Sequence, residues 1–225
     1  MGILSTKDTD GDNEMIQDFH FPTSKKALIV FVRNPELGKC KTRLAKTIGD
    51  EAALEIYKYL LQHTSKISKD IKADRYVFYS ENIKRDDIWN TEFFRKKLQK
   101  GIDLGERMQN AFSDLLEIGY EKVAIIGSDL LDLDAELVNN AFAQLDFKDV
   151  VIGPAKDGGY YLLGMKNLYH TIFSNKEWGN SSVLSDTLKD LLNCDVHLLK
   201  ELNDIDTFED LQHYTELKQF FKIHE

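Results

Sequence analysis

The stretch that decides the fold is VAIIGSD at residues 123–129, where four apolar residues precede a glycine, a serine and an aspartate. An unbroken apolar run of this kind indicates a strand covered on both faces, as in a parallel sheet. The segment GPAKDGGYY follows about one strand–helix unit later, at residues 153–161. Because ligands of open α/β sheets bind at the carboxyl ends of strands, Asp129 is placed to meet a ligand or its metal.

Strands and helices alternate along the rest of the chain. Buried strands are predicted at residues 27–32, 75–79, 123–126, 150–152, 159–165 and 196–199. Apolar residues at helical spacing predict a helix that Asp50 caps and that runs to about residue 64, and a second helix at residues 105–118. They also predict a third helix capped by Asp134 and a last one after Asp206. This alternation predicts a three-layer α/β/α domain with a largely parallel sheet.

The composition excludes several classes of protein. The 225 residues carry a net charge of −9, which argues against a nucleic-acid-binding surface because phosphate contacts need clustered Lys and Arg. No apolar run is long enough for a membrane span, and the start of the chain lacks the pattern of a secretory signal. The six histidines show neither metal-ligand spacing nor a nearby serine or cysteine motif, so a covalent triad enzyme is disfavoured.

Residues 1–24 are polar and without periodicity, and we predict that they form a disordered tail. Residues 25–225 are predicted to form a single domain, since they contain no low-complexity linker and no internal repeat. The two cysteines, Cys40 and Cys194, have no disulfide or zinc pattern. Reduced thiols of this kind are typical of a cytoplasmic protein.

A basic loop follows the first predicted strand, with the sequence RNPELGKCKTRL at residues 33–44. It brings Arg33, Lys39, Lys41 and Arg43 together in an otherwise acidic chain. An Arg can grip phosphate oxygens at two points and a Lys can act as a point charge. The loop lacks the glycine spacing of a Walker sequence. On composition alone, a solvated basic turn explains it equally well.

Three aspartates are candidates for chemistry, and each also has a plain structural explanation. Asp129 is a hard oxygen ligand suited to magnesium or manganese, but aspartate is also common in caps and turns. Asp157 could ligate a metal, orient an acceptor hydroxyl or act as a general base, whereas Asp-Gly is also usual hairpin chemistry. Asp206 could supply a second carboxylate to the metal, or it could simply cap the last helix.

In this order, the segments resemble a bacterial family of glycosyltransferase-like proteins among the nucleotide-diphospho-sugar transferases of the GT-A type. The same segments are also similar to molybdopterin and phospholactate guanylyltransferases. The resemblance covers roughly residues 25–215 and rests on GKCKTRL (38–44), DLGERM (103–108), GSD (127–129), GPAKDGGYYLLG (153–164) and DIDTFEDL (204–211). It implies a three-layer α/β/α sandwich with a mixed, mainly parallel sheet that holds a nucleotide over its carboxyl edge.

The resemblance also implies roles for individual residues. Lys41 and Arg43 would contact the nucleotide phosphates, and Asp129 and Asp206 would bind Mg²⁺ or Mn²⁺. The implied catalytic residue is Asp157. The rest of the predicted nucleotide-binding set is Arg33, Ser128, Gly158 and Gly159.

The resulting expectation is a metal-dependent transferase that passes a group from an activated nucleotide donor to a small-molecule acceptor. The first hypothesis is a glycosyltransferase that uses a nucleotide sugar. The alternatives are a guanylyltransferase-like nucleotidyltransferase that releases pyrophosphate, and a nucleotide-binding protein that has lost catalysis. Two departures from the family pattern support the last alternative: Leu130-Leu131 where a proline is common, and Trp178-Gly179-Asn180 where Trp-Ser-Thr is common.

Overall fold

The computed structural model describes residues 21–221, which form a mixed sheet of seven strands. The strands are β1 (Lys26–Val32), β2 (Asp74–Tyr79), β3 (Arg95–Leu98), β4 (Lys122–Ile126), β5 (Val150–Pro154), β6 (Tyr160–Met165) and β7 (Val196–Leu198). Their order across the sheet is β3-β2-β1-β4-β6-β5-β7. β6 runs antiparallel to β4 and β5, and the other neighbouring pairs are parallel. This arrangement confirms the mixed, mainly parallel sheet.

Helices cover both faces of the sheet. They are α1 (Thr42–Ile48), α2 (Asp50–Ser68), α3 (Leu104–Ile118), α4 (Ala135–Gln144), α5 (Val183–Asp190) and α6 (Phe208–Leu211), with 3₁₀ helices at His170–Phe173 and Thr215–Phe220. Alternate residues of β1 enter different cores: Leu28 and Val30 pack in the cluster that includes α2 and α4, whereas Ala27 and Ile29 pack in the cluster that includes α3. The sheet therefore separates two hydrophobic layers, which confirms the three-layer sandwich.

The structure corrects three sequence-based predictions of local structure. β3 was not predicted, because its sequence RKKL is polar and it lies at the edge of the sheet, where charged side chains are common. Asp50 is the first residue of α2 and does not cap it, since Gly49 is the N-cap. Asp206 does not cap the last helix either; the cap is Thr207. By contrast, the side chain of Asp134 caps α4 as predicted, by accepting from the backbone N–H of Leu137 at 2.7 Å.

The predicted tail, at residues 1–24, lies mostly outside the described residues, although Thr23 and Ser24 donate hydrogen bonds to Asp74. None of the helices between residues 21 and 221 is long and apolar enough to cross a membrane.

The carboxylate of Asp74 joins the start of the described chain to the sheet. It accepts hydrogen bonds from the backbone N–H groups of Thr23 at 2.7 Å and Ser24 at 3.2 Å, from the Thr23 hydroxyl, and from the Tyr120 hydroxyl at 2.7 Å. Burial by itself would raise the pKa of Asp74, but the hydrogen bonds from Thr23 and Tyr120 lower it below the ordinary value. The ionised form is therefore the one that stabilises the fold.

We expect Asp74→Asn to lower the free energy of unfolding at pH 7 by about 1–3 kcal/mol, because its donors, among them the buried Tyr120 hydroxyl, lose an ionised acceptor. A lowered folded-state pKa contributes stability that is present above the unfolded pKa of ~3.9 and is lost as the pH falls through the folded pKa. The difference between wild type and variant should therefore shrink below about pH 4. Urea unfolding at pH 7 and pH 3 tests this, with the exposed Asp70→Asn as control. A difference that is constant with pH would contradict it.

Candidate functional site

The basic loop lies at the carboxyl edge of the sheet and is held there by Asn34. The side-chain amide of Asn34 donates to the carbonyl oxygen of Asn82 at 2.8 Å, and its oxygen accepts from the backbone N–H of Glu81 at 3.0 Å. Its backbone N–H donates to the hydroxyl of Ser80 at 3.1 Å. These contacts join the loop after β1 to the loop after β2 and fix the path of the chain that leads to Lys41.

Tyr57, on α2, ties the same loop to the strand exit that carries Asp129. Its hydroxyl accepts from the backbone N–H of Arg33 at 2.9 Å and donates to the carbonyl oxygen of Arg33 at 3.1 Å. The hydroxyl also lies 3.4 Å from Oγ of the buried Ser128. Ser128 therefore lies beneath the site as a contact of Tyr57 and of Asp129, whose Oδ1 is 3.5 Å from its hydroxyl.

Lys41 lies at the centre of the charged group. Its Nζ is 2.9 Å from Oδ2 of Asp129 and 3.0 Å from Oδ1 of Asp206, and its side chain is only 3% exposed. Burial alone would lower the pKa of Lys41, but the two carboxylates raise it above the ordinary value. The exposed side chain of Arg43 approaches the other oxygen of Asp206 at 3.7 Å. The structure thus brings Lys41, Arg43, Asp129 and Asp206 together.

A short acid segment reaches Lys41 from the C-terminal part of the chain. The backbone N–H of the fully buried Ile205 donates to the carbonyl oxygen of Asp129 at 3.1 Å, which fixes the two aspartates on either side of it. Asp206 contacts Lys41, whereas Asp204 lines a neighbouring cavity. The alternation follows from the period of two in extended chain.

Asp210 holds this acid segment in place, and sequence reasoning missed it. Its carboxylate accepts from the backbone N–H groups of Asp206 at 3.1 Å and Thr207 at 2.7 Å, and from the side-chain amide of Asn203 at 2.8 Å. Together with Thr207 it forms a capping box at the start of α6. The spacing Thr-x-x-Asp was a usable signal, because an acid three residues after a threonine is the pattern of a capping box.

Beside the charged group is a cavity of about 210 Å³. Its lining combines acids with aromatic rings: Asp129, Asp157, Asp204, Tyr160, Tyr161 and Trp178. None of the described residues that line it is Lys, Arg or His. Burial and the neighbouring carboxylate of Asp157 raise the pKa of Asp204 to about 6. The volume is below the ~300–1,000 Å³ of pockets for drug-sized ligands, so a single ring fits better than a whole nucleotide.

The predicted glycine-rich segment forms the hairpin loop between the antiparallel strands β5 and β6, and it also borders the cavity. Oδ1 of Asp157 accepts from the backbone N–H of Gly159 at 2.8 Å, and both residues line the cavity. Gly158 lies against another segment: a Cβ there would be 2.2 Å from the carbonyl oxygen of Ser181. The hairpin and the site interpretations of Asp157 are therefore compatible.

Trp178 lines the cavity and packs closely against a glycine whose role the sequence reasoning did not identify. A Cβ at Gly105, near the start of α3, would lie 2.6 Å from the Trp178 indole and 2.3 Å from the carbonyl oxygen of Phe173. This close approach explains why the DLGERM segment has a glycine at this position.

Leu130 and Leu131 stand where the family pattern commonly has a proline. Leu130 is 3% exposed, and Leu131 packs against a hydrophobic cluster that is separate from the two clusters on either side of the sheet. Both leucines therefore contribute to the packing of the protein interior.

Two carboxylates are available for a metal ion. Within residues 21–221, no group of three or more His, Cys, Asp or Glu side chains is arranged to hold one. Asp129 and Asp206 nevertheless both reach the same ammonium group, so they can share one cation. Mg²⁺ is commonly bound by one or two carboxylates together with substrate phosphates and water. The donor pair therefore fits this ion, provided that Lys41 moves.

The fold is similar to that of several solved structures. A "putative nucleotide-diphospho-sugar transferase" from Desulfovibrio desulfuricans G20 has a TM-score of 0.80 and 32% sequence identity, covering 87% of this chain and 88% of that chain. A cytidylyltransferase from Leptospira borgpetersenii has a TM-score of 0.57 and 13% identity, covering 90% and 89% of the two chains. A CMP:2-keto-3-deoxy-manno-octonic acid synthetase complexed with CTP has a TM-score of 0.55 and 9% identity, covering 87% and 99%. The last two similarities concern the fold alone.

No curated protein matches the chain significantly by sequence. The family described as "Uncharacterized protein conserved in bacteria (DUF2064)" matches residues 63–180. The matched residues make up more than half of the chain, and they include β2, α3, β4, α4 and the glycine-rich hairpin. The similarity to the Desulfovibrio structure covers 87% of the chain, at 32% identity. The chain therefore belongs to the DUF2064 family of bacterial proteins, whose fold is that of nucleotide-diphospho-sugar transferases.

Proposed function

We propose that the chain is a cytoplasmic, metal-dependent glycosyltransferase that uses a nucleotide sugar as donor. The observation that carries this proposal is the division of the site at Asp129. On one side of this carboxylate lie Lys41 and Arg43, and on the other lies a cavity with aromatic rings and no cationic lining residue. A nucleotide sugar has the same division, because its diphosphate is anionic and its hexose is usually uncharged.

The cationic side suits the diphosphate. Arg43 has a side chain that is 64% exposed, and Arg33 is also exposed on the same loop. Both guanidinium groups can bind phosphate oxygens in the two-point manner that Lys does not offer. Asp129 and Asp206 would hold Mg²⁺ or Mn²⁺, which would supply further positive charge next to a departing diphosphate. Lys41 and Arg43 add to this stabilisation as the leaving group gains charge.

The cavity side suits a sugar ring and an acceptor hydroxyl. Carboxylates accept hydrogen bonds from sugar hydroxyl groups, and aromatic faces pack against the apolar face of a ring. Asp157 is exposed at the cavity, where we assign it the role of general base. In the transfer, the bond between the anomeric carbon and the diphosphate oxygen breaks, the acceptor oxygen bonds to that carbon, and the acceptor proton passes to Asp157. The nucleoside diphosphate leaves.

The second candidate function is nucleotidyl transfer with release of pyrophosphate. The Lys-Thr-Arg loop suits a triphosphate as well as a diphosphate sugar. A phosphorylated acceptor, however, needs cationic partners, and the described lining of the cavity offers three carboxylates and no Lys or Arg. A protein without catalysis is the third candidate. It is supported less well, because Lys41, Asp129, Asp157 and Asp206 are all present in the site.

The test is an incubation of the purified protein with a panel of nucleotide sugars and Mg²⁺ or Mn²⁺. We expect release of a nucleoside diphosphate from at least one donor, and loss of that release when EDTA removes the metal. A parallel series contains nucleoside triphosphates with phosphorylated acceptors, and pyrophosphate is measured. Pyrophosphate release without turnover of any nucleotide sugar would instead establish the nucleotidyltransferase. A thermal shift with a nucleotide but no turnover in either series would favour the noncatalytic protein.

A further inference from the structure

Lys41 differs from the other cations of the basic loop in its surroundings. Arg43 has a side chain that is 64% exposed and Lys39 one that is 59% exposed, whereas that of Lys41 is 3% exposed. Lys41 also has a backbone φ of 50°, in the left-handed region that non-glycine residues seldom occupy. Such conformations persist where the surrounding structure enforces them, and they cluster at ligand-binding sites.

The position of the Lys41 ammonium group is the one that a shared metal ion would need. Its Nζ lies 2.9 Å from Asp129 and 3.0 Å from Asp206, and each of these aspartate side chains is still 39% exposed. Mg²⁺ requires carboxylate oxygens at about 2.0–2.1 Å. An ion that bound these same two oxygens would therefore overlap the ammonium group, and an ion elsewhere on the two carboxylates would still be repelled by its charge. The lysine and the metal cannot occupy this position together.

We propose that Lys41 is a built-in counter-ion of Asp129 and Asp206. It competes with the divalent metal for these carboxylates, and it leaves them when the diphosphate group of a nucleotide ligand binds. The proposal rests on the metal site of the proposed function, not on the sugar or the acceptor. Without a nucleotide, the ammonium group neutralises two carboxylates that would otherwise repel each other. With a nucleotide, the phosphates offer it a new anionic partner, and the two aspartates become free for the metal. Metal and nucleotide should therefore strengthen each other's binding.

The test is a direct titration of Mn²⁺ by electron paramagnetic resonance, with no donor or acceptor present. Lys41→Met removes the charge and keeps an unbranched side chain. We expect it to bind Mn²⁺ at least about tenfold more tightly than wild type, because the competing cation is gone. Lys39→Met is the matched control, since Lys39 pairs with Glu36 at 2.7 Å and Glu81 at 3.7 Å and not with the two aspartates. It should bind Mn²⁺ as wild type does.

A second titration in the presence of a nucleoside diphosphate measures the coupling. The nucleotide should strengthen Mn²⁺ binding by a larger factor in wild type than in Lys41→Met, because only wild type must displace the ammonium group. If Lys41→Met does not fold, Lys41→Gln keeps a hydrogen-bond donor for the carboxylates without the charge, and the same comparison applies. Mn²⁺ binding to the uncharged variant that is equal to or weaker than that of wild type, including no binding to either, overturns the proposal.

These outcomes are separate from those of the transferase assay. Competition in the Mn²⁺ titration supports the counter-ion role even if no nucleotide sugar is turned over. Conversely, glycosyl transfer by a protein whose Mn²⁺ affinity does not depend on Lys41 would refute the counter-ion role and leave the proposed function standing.

Discussion

Asp129→Asn is expected to lower the rate of group transfer by about 10²–10³-fold or more, which is the range for the loss of one preorganised electrostatic contact in an active site. The substitution keeps the size and shape of the side chain and removes its charge. Lys41 then retains only Asp206 as an anionic partner, and the proposed metal site loses one of its two carboxylates. Among residues 21–221, no other member of the charged group of Lys41, Arg43, Asp129 and Asp206 lines the cavity.

The fold should tolerate this change. The contact that fixes the acid segment uses the backbone carbonyl oxygen of Asp129, which accepts from Ile205 at 3.1 Å and is unaffected by the substitution. The side chain is 39% exposed, so the asparagine amide remains hydrated. Because the buried Lys41 loses one anionic partner but keeps Asp206, we expect a loss of unfolding free energy of about 1–3 kcal/mol, which leaves the protein folded.

Asp132→Asn is the control, because Asp132 lies three residues away and its Oδ2 accepts from the Tyr214 hydroxyl at 2.8 Å, a contact that asparagine can keep. Initial rates with saturating donor, together with thermal unfolding of both variants, separate catalysis from stability. Equal losses of rate in the two variants would mean that the rate depends on the negative charge of this region and not on a specific role of Asp129. Retention of wild-type rate by Asp129→Asn would remove Asp129 from the site.

The fold was predictable from the sequence where burial leaves a simple pattern. β1, β4 and β5 are continuous apolar runs because they are covered on both faces. β3 has no such pattern: its four residues are Arg, Lys, Lys and Leu, and none of them is fully buried. Its pairing with β2 is decided by the tertiary structure, so local sequence carries little signal for it.

The candidate site was predictable as a set of residues but not as a set of contacts. Lys41 was expected to meet phosphates, yet in the structure it pairs with two aspartates, one of them 165 positions away in sequence. Tyr57 and Asn34 were not identified, because they hold the site through partners 24 and 48 positions away. Residue type shows which chemistry is available, whereas the partner of a charge depends on where the fold brings the chain together.

Gly158→Ala is expected to cost about 2–5 kcal/mol of unfolding free energy and to lower donor binding at least about tenfold. Two effects combine. Gly158 has a φ of +89°, which costs a residue with a Cβ about 1–2 kcal/mol. The added Cβ would also lie 2.2 Å from the carbonyl oxygen of Ser181, and overpacking against backbone typically costs 1–3 kcal/mol, since neither segment can yield easily.

The backbone of Ser181 must move away, and this is why binding should suffer together with stability. The carbonyl oxygen of Gly158 accepts from the backbone N–H of Leu184 at 2.9 Å, so the hairpin and the start of α5 are coupled at this point. Separating them opens the wall of the cavity that contains Trp178, Gly179 and Asn180. A ligand ring would then lose packing contacts on that side.

Gly49→Ala isolates the conformational part of this effect. Gly49 has a φ of +88°, almost the same as Gly158, but a Cβ there meets no atom within 4 Å. Gly49 has a ψ of 157°, a region that residues with a Cβ rarely occupy, so we expect Gly49→Ala to cost about 1–3 kcal/mol. Donor binding should be unchanged, because Gly49 lies between α1 and α2 and outside the cavity lining. Urea unfolding and calorimetric titration of the donor measure both quantities for the two variants. Equal losses of stability would show that the contact with Ser181 adds nothing, and donor binding that survives Gly158→Ala would mean that the hairpin does not shape the cavity.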